Sequence, residues 1–162
     1  MLSALIHTAR PKQWLKNVLV FAAPGAAGVL DEWPEFGLTL LAFASFCLAA
    51  SGIYVWNDLL DVEADRRHPT KCRRPIAAGE LSIGAARVAG VVLPVLSLVL
   101  AGLTGRWQTV AVVAVYIVTT IAYTVRLKHV AVVDLVTVAS GFVLRAAAGA
   151  VAVDVPMSRW FV

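Results

Sequence analysis

The sequence predicts an all-α integral membrane protein with about five transmembrane helices, and two observations carry that prediction. The 162 residues are 60% hydrophobic and only 15% charged, with a mean hydropathy of +0.81, whereas soluble domains are about 45–50% apolar and about 25% charged. The charges are also gathered between uncharged runs close to the roughly 20 residues that cross a hydrocarbon core. So few polar residues exclude disorder, collagen and coiled coil. The length suits one domain.

In chain order, the first expected span covers about 13–30. The uncharged run there is only the 14 residues 17–30, and Pro24 and Gly25 interrupt it. This is either a broken span or one that begins near Pro11 with Lys12 and Lys16 at the interface. The short apolar stretch beside a proline is a poor signal peptide. The second span, 36–57, has 22 uncharged residues and leads into a polar loop, 58–82. The third and fourth, 83–105 and 107–125, contain uncharged runs of 18 and 19 residues. The fifth, about 130–153, is interrupted by Asp134 and Arg145.

Basic residues are retained on the cytoplasmic side of a membrane. Arg10, Lys12 and Lys16, then Arg66, Arg67, Lys71, Arg73 and Arg74, then Arg126 and Lys128 all fall on one side of the alternating spans. The other side carries only Arg106 and Arg159. Ten against two predicts a cytoplasmic N-terminus. The net charge of +4 is therefore a topology signal, because nucleic-acid binding needs cations on one exposed face. Cys47 and Cys72 lie 25 positions apart with no further thiol, which supports neither a zinc set nor a disulfide framework.

Chemistry concentrates where the second span ends. At 100° per residue, Asn57, Asp61, Asp65 and Asp58 share one narrow helix face, and Glu63 points away. Glu63 has Arg67 at i+4, but nothing three or four residues ahead of Asp58, Asp61 or Asp65 is an arginine or lysine. The aspartates are thus expected to repel one another at the negative pole of a helix, a penalty that a cation relieves. The plainer reading is a solvated acidic helix end. Carboxylates suit magnesium, which commonly takes one or two of them together with substrate phosphate oxygens. In the following loop, Lys71, Arg73 and Arg74 can fold back as phosphate ligands or simply enforce topology. Acid face and basic loop together predict a metal-diphosphate cradle.

The motif Asn57-Asp58-x-x-Asp61-x-x-x-Asp65, followed by Arg74-Pro75 and Gly79, resembles the first aspartate motif of the UbiA superfamily of intramembrane prenyltransferases. Two longer strings narrow the resemblance to the branch that makes decaprenylphosphoryl-phosphoribose. They are Arg10-Pro11-x-Gln13-Trp14-x-Lys16-Asn17 and Asp65-Arg66-x-His68-Pro69-Thr70-Lys71-x-x-Arg74-Pro75-Ile76-Ala77-Ala78-Gly79.

The resemblance implies a membrane transferase in which polyprenyl (decaprenyl) phosphate attacks C1 of phosphoribosyl diphosphate and releases pyrophosphate, a step toward cell-wall arabinan. It implies that Asp58, Asp61 and Asp65, assisted by Asn57, hold Mg2+ on the leaving diphosphate, and that Lys16 and Asn17 face the same cavity. Tyr123-x-x-x-x-Lys128 also matches the family's pattern, with Lys128 on phosphate and Tyr123 hydrogen-bonding to it, although Tyr123 equally suits an interfacial aromatic belt. His68 and His129 read as loop supports. Asp134 and Arg145 are about 20° apart in rotation and share a face of the fifth span, where an ionisable residue usually faces the bundle interior.

Family members have about nine spans and a second aspartate motif in their later half. Here the resemblance covers the first half of that pattern, and the chain stops at Trp160-Phe161-Val162 as if entering a sixth span. Position 138 is Val where a DxxxD starting at Asp134 needs an acid. A truncated copy, inactive alone, is expected. The partners expected are the two substrates and membrane lipids, with no nucleic acid and room for a homo-oligomer. Two rivals stand beside this reading: an aromatic prenyltransferase using a prenyl diphosphate donor, and a non-catalytic cation-binding membrane protein.

Overall fold

A computed structural model describes residues 1–127 and 131–156, apart from the side chains of residues 127, 131, 132 and 134. The expectations placed on Lys128, His129, the Asp134 side chain and residues 160–162 lie outside what it describes.

The described chain is helical. A bilayer offers backbone groups no water, so an apolar run must satisfy its own N–H and C=O groups. Four helices are long and apolar enough to cross a membrane: Glu35–Leu60, Ile83–Gly102, Trp107–Arg126 and Leu135–Val153. In chain order the α-helices are α1 (Leu2–Ala9), α2 (Ala22–Ala26), α3 (Glu35–Leu60), α4 (Val62–Arg67), α5 (Ile83–Gly102), α6 (Trp107–Ala122) and α7 (Ala131–Ala152).

The first expected span, 13–30, is not a continuous α-helix. A short helix not anticipated from the sequence, α1, ends at Arg10 in the left-handed conformation (φ 53°, ψ 61°). Pro11–Phe21 then forms a 3-10 helix and passes into α2. With three residues per turn, every third side chain falls on one face. That face is Trp14, Asn17 and Val20, of which Asn17 and Val20 are 1% and 0% exposed, while Lys16 lies on the exposed side. The Trp14 indole N–H donates to Ser51 Oγ (3.0 Å), and Asn17 Nδ2 donates to Cys47 Sγ (3.3 Å), which bind the 3-10 run to α3.

α3 and α5 form the tightest pair, and a proline explains how. Pro94 sits inside α5 and has no N–H, so the carbonyl of Gly90 loses its helical partner. The Trp56 indole supplies a replacement donor at 2.8 Å. Gly90 is required for this approach, since a Cβ there would lie 2.9 Å from Trp56 Nε1. One turn along, a Cβ on Gly52 would lie 2.5 Å from Pro94 Cδ. Helix pairs in membranes generally use small residues for close approach. Gly52→Ala is therefore expected to lower stability by about 1–3 kcal/mol, read as a fall in thermal midpoint in detergent. Gly84→Ala, where nothing lies within 4 Å of the added methyl, should leave the midpoint unchanged or raise it slightly.

The main core runs through Val20, Phe46, Ile53, Val113, Tyr116 and Ala148. A second cluster, Ala4, Val55, Ile76, Leu81 and Ala86, plugs the polar loop onto α1, α3 and α5. At one end of the bundle Arg106 pairs with Asp154 at 3.1 Å. The N-terminal segment, the end of α3 and the basic loop meet at the other.

Candidate functional site

α3 stops at Leu60 and the chain restarts as α4, with Asp61 (φ −93°, ψ 4°) at the junction. Backbone hydrogen bonds nevertheless bridge the break: Asp61 N–H donates to the Asn57 carbonyl (3.1 Å), and Asp65 N–H to the Asp61 carbonyl (2.8 Å). The helical register therefore persists, and Asp58 and Asp65, seven residues or about two turns apart, meet on one face. Both are 2% exposed.

The repulsion expected among these aspartates is relieved within the protein for Asp58 and Asp65. Arg74 Nη1 bridges them, at 3.1 Å from Asp58 Oδ1 and 2.7 Å from Asp65 Oδ2. Arg10 Nη2 reaches Asp58 Oδ1 at 2.6 Å, and its guanidinium stacks over the Tyr54 ring at 4.8 Å. Neither arginine stands at helical spacing from its partner, so the i+3 and i+4 test could not find them. The chain brings Arg74 back by burying Ile76 and Leu81 (1% and 2% exposed) and by turning at Gly79, whose φ of 79° suits a residue without a Cβ. Arg10 is aimed by its left-handed backbone, a conformation costing roughly 1–2 kcal/mol in a residue with a Cβ and one that gathers at functional sites.

Arg10, Lys12, Gln13, Asp58 and Arg74 line a cavity of about 590 Å³, within the range of small-molecule sites. From the sequence, Lys12 carries only a topology signal and Arg10 a topology and motif signal. The other expected site residues named at the end of the second span and in the loop do not line this cavity. Asn57 and Asp61 are half-buried, while Lys71 and Arg73 are exposed. His68 Nδ1 accepts from the backbone N–H of Thr70 and Lys71 (3.2 and 3.3 Å), which shapes the loop. Glu63 pairs with Arg66 at 2.8 Å, one residue earlier than the spacing suggested.

Lys16 and Tyr123 line a separate, smaller cavity of about 160 Å³ with Tyr54, Tyr116 and Arg145. Tyr123 opens a π-helical turn, Tyr123–Leu127, at the end of α6. Asn17 does not face that cavity as a free amide; its Oδ1 accepts from Arg145 Nε at 2.7 Å. Arg145 was read as a bundle-interior residue, but its partners, Asn17 and Tyr116, are up to 128 positions distant and invisible to periodicity.

Among the described residues, no three carboxylate, imidazole or thiol groups converge as a ready cage for a metal. Two hard carboxylates within reach of one guanidinium are still the donor number that magnesium takes beside phosphate oxygens.

The model of the UbiA prenyltransferase family matches residues 18–162. The chain belongs to the UbiA prenyltransferase family. Among UbiA relatives, it is 48% identical to the decaprenyl-phosphate phosphoribosyltransferase of Mycolicibacterium smegmatis, over 99% of this chain and 52% of that protein. It is also 48% identical to the protein of the same name from Corynebacterium glutamicum, over 97% and 48%. The 4-hydroxybenzoate octaprenyltransferase of Acidovorax ebreus is 33% identical over 96% and 53%. The chain thus spans about half the length of the curated relatives it matches. A UbiA homolog from Archaeoglobus fulgidus, solved bound to GPP and Mg2+, superposes with a TM-score of 0.81 at 21% identity, over 96% of this chain and 56% of that one. That likeness bears out the all-helical UbiA fold.

Proposed function

We propose that residues 1–162 supply the N-terminal part of a UbiA-type transmembrane domain that transfers 5-phosphoribose from phosphoribosyl diphosphate to a polyprenyl phosphate, with release of pyrophosphate. The observation that carries this reading is the pair of buried carboxylates, Asp58 and Asp65, neutralised by Arg10 and Arg74, with Asp58 and both arginines lining a cavity of about 590 Å³. Two anions against two guanidiniums make a charge-balanced reserve. An incoming diphosphate offers the planar arginine forks a more highly charged bidentate partner, and their departure exposes carboxylates suited to Mg2+. The similarity to the two phosphoribosyltransferases supports this donor over a prenyl diphosphate.

Asp58 and Asp65, with Asp61 and Asn57 beside them, would hold the metal. Bound there, Mg2+ would supply Lewis-acid stabilisation of the charge developing on the leaving pyrophosphate. The protein's own part is to orient the diphosphate with Arg10 and Arg74 and, through Lys12 in the cavity wall and the exposed cations Lys71 and Arg73 of the loop, to draw the anion in. The basic bias of the loops supports a cytoplasmic position for this end of the bundle, where a water-soluble donor would meet a lipid acceptor.

The test uses a chain extended over the full length of its relatives, given each donor with Mg2+ and a polyprenyl phosphate. Lipid-linked phosphoribose, lost on chelation, is the expected product. A product formed only from a prenyl diphosphate and an aromatic acceptor would assign the rival activity.

A further inference from the structure

Arg145 lies in the middle of α7 and is 9% exposed. A charge at that depth normally has a countercharge, yet among the described residues no carboxylate pairs with it. Its hydrogen-bond partners are neutral: Nε donates to Asn17 Oδ1 (2.7 Å) and Nη2 to the Tyr116 hydroxyl (3.1 Å). The rings of Tyr116, Phe142 and Phe46 lie 5.1, 5.9 and 6.0 Å from its guanidinium carbon. Asn17 is itself fixed, since its Nδ2 donates to Cys47 Sγ, which directs its oxygen at the arginine. Two of the three guanidinium nitrogens are therefore tied. The third, Nη1, lies 3.0 Å from the Cβ position of Gly141, where α7 has no side chain to cover it.

Gly141 and Arg145 open onto the 160 Å³ cavity, whose other polar lining includes Lys16, Tyr54 and Tyr123. That volume holds about five waters at about 30 Å³ each, enough for one tetrahedral oxyanion. Tyr54 stands one helical turn before Asp58, so this cavity lies about 6 Å further along α3 into the membrane than the aspartate site. Its apolar edge is Val138 and Phe142, on a face of α7 that is exposed along Leu135, Val136 and Val138.

We propose that Arg145 binds the phosphate monoester of the lipid substrate, with Lys16 as second cation and the tyrosine hydroxyls as donors. This rests on the function proposed above and assigns the acceptor its own anion site, one turn deeper than the donor's diphosphate. A fixed guanidinium whose described partners are all neutral is relieved by an anion. At this depth and beside an apolar edge, the anion must arrive on a hydrocarbon chain. A soluble phosphate ester has the same headgroup chemistry but nothing to carry it there.

The test measures binding to the 162-residue chain in detergent micelles by intrinsic fluorescence, with farnesyl monophosphate, farnesol and ribose 5-phosphate as separate arms. Farnesyl monophosphate should bind at least tenfold more tightly than farnesol. Arg145→Gln should erase that difference and Arg145→Lys keep part of it. Tyr116→Phe, which frees Nη2 but keeps the charge, should weaken binding several-fold, and it serves if Arg145→Gln does not fold. Wild-type affinity for farnesyl monophosphate in a folded Arg145→Gln chain would overturn the proposal. So would the absence of any preference over farnesol, or displacement by ribose 5-phosphate at equal concentration. Phosphoribosyl diphosphate with Mg2+ is the separating arm: its binding should survive Arg145→Gln and fail in Asp58→Asn. If it never binds while the Arg145 dependence holds, the donor assignment falls and the phosphate site stands.

Discussion

Asp58→Asn, made in a chain extended over the length of its relatives, is expected to cut turnover by at least about 10²–10³-fold, the usual loss when one electrostatic contact to a developing charge is removed. The amide keeps the shape and removes the anion on which Arg10 and Arg74 converge, at 2.6 and 3.1 Å. Two guanidiniums then face each other across a neutral group, and the buried metal donor set is reduced to Asp65 with its half-buried neighbours. Breaking a buried ion pair costs about 3–5 kcal/mol when neither partner can reach water. Here the side chains of Arg10 and Arg74 are 29% and 25% exposed, so hydration recovers part of that. A stability loss of about 1–3 kcal/mol follows, too small to prevent membrane insertion. The two readouts are initial rate and thermal midpoint. Because Asp58 and Arg74 share a contact, Arg74→Met combined with Asp58→Asn should destabilise less than the two single changes added together, by about 0.5–3 kcal/mol. Undiminished turnover in folded Asp58→Asn would remove this carboxylate from the chemistry.

Gly149→Ala is expected to be the most damaging single methyl in the chain. Its Cβ would overlap the backbone carbonyl oxygen of Val20 and stand 3.2 Å from Pro24 Cδ. Overpacking usually costs about 1–3 kcal/mol, because a side chain gives way. The obstacle here is main chain, and Pro24 has no N–H with which the carbonyl could be drawn aside. α7 must instead move off the 3-10 segment, at a cost at or above the top of that range. The damage should spread to Arg145, which precedes Gly149 by one turn of α7, just as Asn17 precedes Val20 by one turn of the 3-10 helix. The glycine contact and the Arg145–Asn17 hydrogen bond are successive rungs of one interface. A lowered thermal midpoint together with weakened farnesyl monophosphate binding is the expected signature. A midpoint matching that of Gly84→Ala would show that the interface has slack.

The parts of the fold legible in the sequence were those set by solvent. Residues 36–57, 83–105, 107–125 and 130–153 each announce a helix, because a long run this apolar satisfies its own backbone in a bilayer by closing helical hydrogen bonds. The helices found there, Glu35–Leu60, Ile83–Gly102, Trp107–Ala122 and Ala131–Ala152, differ mainly at their ends. Residues 13–30 were less legible. A 3-10 helix and an α-helix share local preferences, and the choice here follows the stacking of Trp14, Asn17 and Val20 against α3 and α7. Nor does any local pattern announce α1, whose end depends on Arg10 reaching Asp58.

By itself the sequence determined the solvent of this protein, its helical class and its UbiA motif, because hydropathy, periodicity and motif spacing are properties of neighbouring residues. Only the tertiary structure decided who neutralises whom. Arg10 and Asp58 are 48 positions apart, and Asn17 and Arg145 are 128 apart. Their meeting depends on helices closing over Gly52, Gly90 and Gly149, where a missing side chain sets the distance between backbones and the charges fall within a hydrogen bond of each other.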